Sequence, residues 1–72
     1  MVAVFKTNAE FPTDAMKIIE LLSGAYQGFT VSVDKEDEDR ILRVEGDVFD
    51  VEDIIILLQY NGFNCVYLPF DW

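Results

Sequence analysis

Histidine is absent from the sequence, and Cys65 is its only cysteine. Nucleophilic arrangements that pair serine or cysteine with histidine are therefore excluded, and acid–base chemistry by carboxylates alone would need a cleft that so small a domain rarely encloses. One cysteine also excludes a disulfide within the chain. We expect no catalytic apparatus and no enzyme activity, with Cys65 a small buried hydrophobe rather than a reactive thiol.

Basic residues are scarce as well: the 72 residues include five Lys and Arg against fourteen Asp and Glu, for a net charge of −9. Nucleic-acid binding normally needs a basic groove or patch, so we expect no direct nucleic-acid binding. The acidity keeps a small protein soluble, and it leaves open a basic protein partner, including one whose cleft otherwise binds nucleic acid.

Long apolar runs are missing too. The longest, Ile54–Leu58, is far shorter than the ~20 residues that span a bilayer. The start of the chain, Met1–Lys6, has no basic stretch followed by a long apolar block, so no signal peptide is predicted. With the lone thiol, these features predict a cytoplasmic protein without a membrane segment. The length predicts a single domain over residues 1–72, and 51% hydrophobic residues can supply its core.

Four segments have strand patterns. Met1–Thr7 is rich in strand-forming residues, whereas Phe29–Asp34 and Arg40–Glu45 alternate between apolar and polar residues and are expected to form a hairpin. Phe63–Phe70 combines aromatic and β-branched residues. Because proline cannot donate to a ladder, Pro69 is predicted to lie on an edge strand or at a strand end.

Two segments have helical spacing. The first helix is expected to follow the loop Asn8–Pro12, with Thr13 as its N-cap and Gly24 as its left-handed end. Its apolar stripe is Ala15, Ile18, Ile19 and Leu22, widened by Met16 and Leu21. The second helix is expected to be capped by Asp50 and ended by Asn61–Gly62. Its stripe is Val51, Ile54, Ile55 and Leu58.

The predicted order is strand, helix, strand, strand, helix, strand. Each helix has one apolar stripe, so both must cover the same face of the sheet. This pattern predicts an α+β domain with the ferredoxin-like βαββαβ fold. Its four-stranded antiparallel sheet has two helices on one face and an open face on the other side.

Several segments together resemble the small heavy-metal-associated domains, the family of copper chaperones and of the amino-terminal modules of metal-pumping ATPases. They are Phe5–Asn8, Arg40–Asp47, Ile54–Ile55 and Asn61–Phe63. The resemblance covers nearly the whole chain and implies the same fold. Members of that family hold a soft cation between two cysteines, spaced C-x-x-C, in the first loop and first helical turn.

The resemblance places Phe11 and Asp14 at the two cysteine positions. A phenyl ring cannot ligate a metal, and a carboxylate is a hard ligand that suits Cu(I) poorly. We therefore expect a degenerate site with no metal and no cofactor, in which Phe11 plugs the mouth of the loop and Asp14 serves the helix end. The alternative is a residual metal carrier or sensor that uses Asp14 with Asn8, Glu10 or Cys65.

A second cluster of possible ion ligands is the acidic turn formed by Asp34, Glu36, Asp37, Glu38 and Asp39. It lacks the spacing, the glycine and the closing glutamate of a calcium loop. We therefore interpret it as a solvated turn.

Two groups of residues are candidates for partner binding. Metal chaperones dock through their first-loop region, so the resemblance implies a partner surface near the acids Glu10, Asp14 and Glu20; helix-end chemistry explains the same residues without a partner. The aromatic residues Tyr67, Phe70 and Trp72 either anchor an interface on the open side of the sheet or pack over the domain's own rim.

The sequence thus predicts a non-catalytic binding module with a degenerate metal site that acts through protein–protein contacts, homodimerisation through the sheet being one version. The alternatives are the residual ion carrier or sensor and an acidic inhibitor or nucleic-acid mimic that binds a basic partner.

Overall fold

The predicted succession of elements is confirmed in the computed structural model, which describes residues 1–34 and 40–69. The elements are β1 (Val2–Thr7), α1 (Pro12–Ala25), β2 (Thr30–Val33), β3 (Ile41–Glu45), α2 (Val51–Tyr60) and β4 (Cys65–Leu68). The strands form one antiparallel sheet in the order β2-β3-β1-β4. Each helix thus connects two strands that lie on either side of a third, which is the split βαβ arrangement of the ferredoxin-like fold.

The core lies between the two helices and one face of the sheet. Helix α1 packs against β2, and α2 packs against β4. The side chains that are fully buried there are Phe5, Ile18, Leu22, Leu42, Val44, Ile54 and Leu58. Each large apolar side chain of this kind contributes about 1.5–3 kcal/mol by leaving water. Met16, expected in the apolar stripe of α1, is instead exposed.

Helix α1 begins two residues earlier than predicted. Its N-cap is Phe11, Pro12 is the first helical residue, and Thr13 lies inside the first turn, so the predicted Thr13 cap is wrong. The reason is the fixed φ of proline, which suits the first helical position and needs no N–H there. The phenyl ring cannot accept a hydrogen bond, and the cap is instead supported by Asp14, whose carboxylate accepts from the Phe11 N–H at 3.2 Å.

The predicted end of α1 at Gly24 is also wrong. The helix continues to Ala25, and the N–H of Tyr26 donates to the carbonyl of Leu22 at 2.8 Å. The left-handed glycine of this connection is Gly28, with φ of 85°. Gly24 was a reasonable candidate because glycine is a common helix stop, but the partly buried Tyr26 packs against the core and favours one further turn.

Both ends of α2 agree with the sequence. Asp50 is the N-cap, and its carboxylate accepts from the Glu52 N–H at 2.9 Å. Asn61 is the C-cap, and Gly62 follows with φ of 89°, where a side chain would be strained. Neither α1 nor α2 is long and apolar enough to cross a membrane, as judged over the described residues.

The last strand is shorter than predicted, ending at Leu68, and Pro69 follows it. Since β4 is an edge strand, the prediction that Pro69 lies at an edge or a strand end is confirmed. The remainder of the predicted strand, at Phe70, and most of the acidic turn, at Glu36–Asp39, lie outside the described residues.

Candidate functional site: the first loop and the open face of the sheet

The loop between β1 and α1 is tied to the start of β3 by two side chains. The Thr7 hydroxyl donates to the Arg40 carbonyl at 2.8 Å and accepts from the Ala9 N–H at 3.3 Å. The Arg40 guanidinium donates through Nε to the Ala9 carbonyl at 3.1 Å. These bonds fix the backbone of the loop between β1 and α1. Sequence reasoning missed both side chains, because their positions 33 residues apart give no local signal.

Arg40 has an unusual backbone conformation, with φ of 48°. A non-glycine residue in this left-handed region costs of order 1–2 kcal/mol, so the surrounding contacts must compensate. The bonds from Thr7 and to Ala9 are two such contacts.

Asn8, proposed above as a possible ion ligand, joins the loop to the segment before β4. Its N–H donates to the Asn64 carbonyl at 3.2 Å, and its side-chain Oδ1 accepts from the Asn64 N–H at 3.0 Å. The amide oxygen that would ligate a cation therefore already has a backbone donor, and a cation would compete with that bond.

Phe11 and Asp14, the two candidate positions in the first loop and first helical turn, differ in behaviour. Asp14 serves the helix terminus as predicted, through its bond to the Phe11 N–H. Phe11 does not plug the loop as predicted: 63% of it is exposed, and it helps to line a small cavity of about 70 Å³ with Ala9, Glu10, Pro12, Ala15 and Arg40. The difference arises because Phe11 is the N-cap, an extended residue at the start of the helix.

Cys65 is buried, as predicted, with 8% of its surface exposed. It pairs with Thr7 on the helix side of the sheet. Burial disfavours the thiolate and raises the pKa of Cys65 to about 11. A soft metal needs the thiolate, so this environment opposes ligation. Across the described residues, no three side chains of Cys, Asp or Glu lie together in a way that could hold a metal ion.

Of the three acidic candidates for partner binding, Asp14 and Glu20 do not share one face of α1. Glu10 is an exposed residue of the first loop, Asp14 is half-buried, and Glu20 is exposed on α1. At 100° per residue, Asp14 and Glu20 project about 120° apart around the helix axis. Single-sequence spacing could have revealed this separation.

The aromatic candidates are described only in part. Tyr67 pairs with Phe5 and lies on the helix side of the sheet, where its ring centroid is 5.8 Å from that of Phe5. The sequence left two arrangements open for Tyr67. In the structure Tyr67 packs against the domain's own Phe5 and does not lie on the open side of the sheet. Phe70 and Trp72 lie outside the described residues.

The open face is the side of the sheet opposite the helices. By strand alternation and register it consists of Val2, Val4 and Lys6 from β1, Thr30 and Ser32 from β2 with Asp34 after it, Ile41, Arg43 and Glu45 from β3, and Val66 and Leu68 from β4. Val4 and Ile41 at its centre are buried, whereas Val66 and Val2 at its margins are 62% and 43% exposed. A shallow depression of about 240 Å³ is lined by Val4, Ser32, Asp34, Ile41 and Arg43.

Charge is distributed unevenly between the two sides of the domain. The open face carries two cations, Lys6 and Arg43, and two carboxylates, Asp34 and Glu45. Among the residues of the two helices the only cation is Lys17, against four carboxylates at Asp14, Glu20, Glu52 and Asp53. The open face is therefore balanced in charge although the chain as a whole has a net charge of −9.

Comparison with protein-family models, with curated proteins and with solved structures gave no match to this chain.

Proposed function

We propose that this chain is a small non-catalytic binding module, similar in build to heavy-metal-associated domains, that acts through protein–protein contacts on the open face of its sheet. Asp14, at a position that the resemblance assigns to a metal-binding cysteine, supports the start of α1 instead, and Cys65 in β4 is a buried thiol. The partner we propose is a protein segment that offers apolar side chains and a carboxylate for Arg43.

The observation that carries this proposal is the composition of the open face. Val66 and Val2 expose apolar surface beside the depression, and Arg43 borders it. An exposed apolar area with a polar rim is the usual anatomy of a binding surface. The charge balance of this face also makes it the side on which a partner meets the least repulsion from an acidic chain.

The test is capture of partners from an extract of the cells that produce the protein, with the whole chain as bait and two matched variants. Val66→Glu places a charge on the open face, and Ile56→Glu places the same charge on α2 at a residue that is 58% exposed. We expect Val66→Glu to lose a partner that the wild type and Ile56→Glu retain. Far-ultraviolet circular dichroism verifies that both variants fold.

Other variants distinguish the remaining candidate surfaces. Glu10→Lys and Glu20→Lys change the acids near the first helix, and Trp72→Ala removes an aromatic residue at the end of the sequence. A partner lost in one of these variants and retained by Val66→Glu would contradict the open-face proposal. Binding that falls steeply with salt and depends on the acids would favour the acidic-inhibitor alternative.

A further inference from the structure

The outer edge of β2 has unpaired backbone groups at two alternate residues. Within residues 1–34 and 40–69, β2 pairs with β3 alone. The Asp34 N–H donates to the Ile41 carbonyl at 2.8 Å, so Asp34 points its backbone groups toward β3. In an antiparallel pair this direction alternates from residue to residue. The N–H and C=O groups of Val31 and Val33 therefore point away from the sheet, toward an outer edge where no strand of the described residues pairs with them.

Apart from its short length of four residues, β2 itself lacks the features that usually protect an edge strand. Thr30–Val33 contains no proline, no glycine and no charged side chain. The opposite edge, β4, is followed by Pro69, which blocks extension of a ladder there. The residues of β4 likewise include no proline, glycine or charge, but Pro69 limits a ladder at its end, so we take β2 as the edge that accepts another strand.

We propose that a second copy of this chain pairs with β2 through its own β2, which makes one continuous eight-stranded sheet with all four helices on the same side. The proposal goes beyond the open-face function and does not depend on it. It adds a second surface, the edge of the sheet rather than its face.

The self-pairing has one register that uses every outward backbone group of the strand. With Ser32 opposite Ser32 of the second copy, each Val31 lies opposite Val33 of the other copy, and each such pair exchanges two backbone hydrogen bonds. Register shifts by two residues would instead pair Val31 or Val33 with itself. In one of those shifts Val33 would meet Phe29, whose N–H already donates to the Tyr26 carbonyl.

The side chains that meet in this register are compatible. Val31 and Val33 are half-buried on the helix side and gain apolar neighbours. On the open side, Ser32 meets Ser32, and Asp34 meets Thr30, a hydroxyl that can donate to a carboxylate. The two Asp34 residues would be about 14 Å apart along the joined strands, beyond the ~8 Å screening length at physiological salt.

The expected association is weak, because four residues of edge strand bury little surface. We expect a dissociation constant on the order of 10⁻⁴ M, the range of small transient interfaces. This dissociation constant can be measured by sedimentation velocity of the whole chain at concentrations from micromolar to about 1 mM. Amide hydrogen exchange over the same concentration range locates the contact. The amides of Val31 and Val33 should become protected as the concentration rises.

Charge changes at the symmetry centre test the register. Ser32→Lys places two like charges face to face and should weaken association roughly tenfold, as should Ser32→Glu. An equal mixture of the two variants should associate again, because opposite charges then meet. Val66→Lys, the same charge on the opposite edge strand, is the matched control and should associate like the wild type.

A wild-type chain that remains monomeric at about 1 mM would overturn the proposal. So would association that Ser32→Lys leaves unchanged, or that Val66→Lys abolishes, since either result would place the contact elsewhere. None of these results bears on the partner-capture test, in which Val66→Glu and Ile56→Glu are compared, so the two proposals can fail separately.

Discussion

Gly46 occupies a position where even a methyl group does not fit. A Cβ built on Gly46 would lie 2.5 Å from Cγ and 2.7 Å from Cε1 of Phe29, and it would also collide with Cδ1 of that ring. Real Cβ atoms do not come this close to other atoms, so the ring would have to move. Sequence alone does not reveal this constraint, because Phe29 precedes β2 and Gly46 follows β3, and only the pairing of these two strands brings them together.

The Phe29 ring has little freedom to move. It stacks on Tyr26 with centroids 5.2 Å apart and lies tilted against Phe49 at 5.4 Å. Overpacking a well-packed core typically costs 1–3 kcal/mol, and disturbing aromatic pairs worth about 0.5–1.5 kcal/mol each lies within that range. We therefore expect Gly46→Ala to lower the free energy of unfolding by about 2 kcal/mol.

Gly24→Ala is the matched control. Gly24 lies inside α1, and a Cβ there would meet nothing within 4 Å. Alanine is the better helix former by about 0.5–1 kcal/mol, so this variant should be stabilised by a few tenths of a kcal/mol near the helix end. Glycine to alanine is therefore expected to lower the free energy of unfolding at Gly46 and to raise it at Gly24.

Urea denaturation followed by circular dichroism measures both effects. A loss of about 2 kcal/mol corresponds to a midpoint shift of roughly 1–2 M for a domain of this size. In the double variant with Phe29→Leu, the smaller side chain should recover part of the Gly46→Ala loss. A Gly46→Ala variant as stable as the wild type, or a double variant whose losses simply add, would refute the reasoning about Phe29.

Asp50→Ala should lower the free energy of unfolding by about 1 kcal/mol, because it removes the cap of α2. Asp47 is an exposed acid just before α2, and Asp47→Ala should change the free energy of unfolding by less than about 0.5 kcal/mol. Equal losses in the two variants would contradict the capping bond. Burial raises the pKa of the Cys65 thiol from 9.0 to about 11, so the folded state holds a proton that the unfolded state releases. Stability should therefore fall as the pH rises from about 9 to about 11, and Cys65→Val should show a smaller fall; a variant with an unchanged pH profile would contradict this assignment. Calorimetric titration with Cu(I), Zn²⁺ and Ca²⁺ should show no binding tighter than about millimolar, and a stoichiometric complex that Asp14→Ala abolishes would revive the ion-carrier alternative.

The sequence predicted the class of fold because its strongest signals are periodic. The helical spacing of Ile18 with Leu22 and of Ile54 with Leu58 marks residues that are fully buried. The ends of α1 were predicted less well, because Thr13 and Gly24 are both good capping residues in isolation. The fixed φ of Pro12 and the packing after the helix decided the boundaries instead.

The side of the sheet on which a side chain lies could not be predicted for β4. Alternation alone groups Cys65 with Tyr67 and sets them opposite Val66, but it does not say which group meets the helices. The register with β1, where Tyr67 lies opposite Phe5, decides that. The open face, the Arg40 bonds and the free edge of β2 all depend on such long-range pairing, so they emerge only from the structure.

The central claim is that a protein partner binds the open face, and nuclear magnetic resonance of the isotope-labelled chain tests it most directly. Once a captured partner is added, we expect the largest shift changes at the methyl groups of Val2, Val66 and Leu68, with smaller ones near Arg43. Changes confined to the first loop and the start of α1, around Glu10 and Asp14, with the signals of the open face unmoved, would contradict the account.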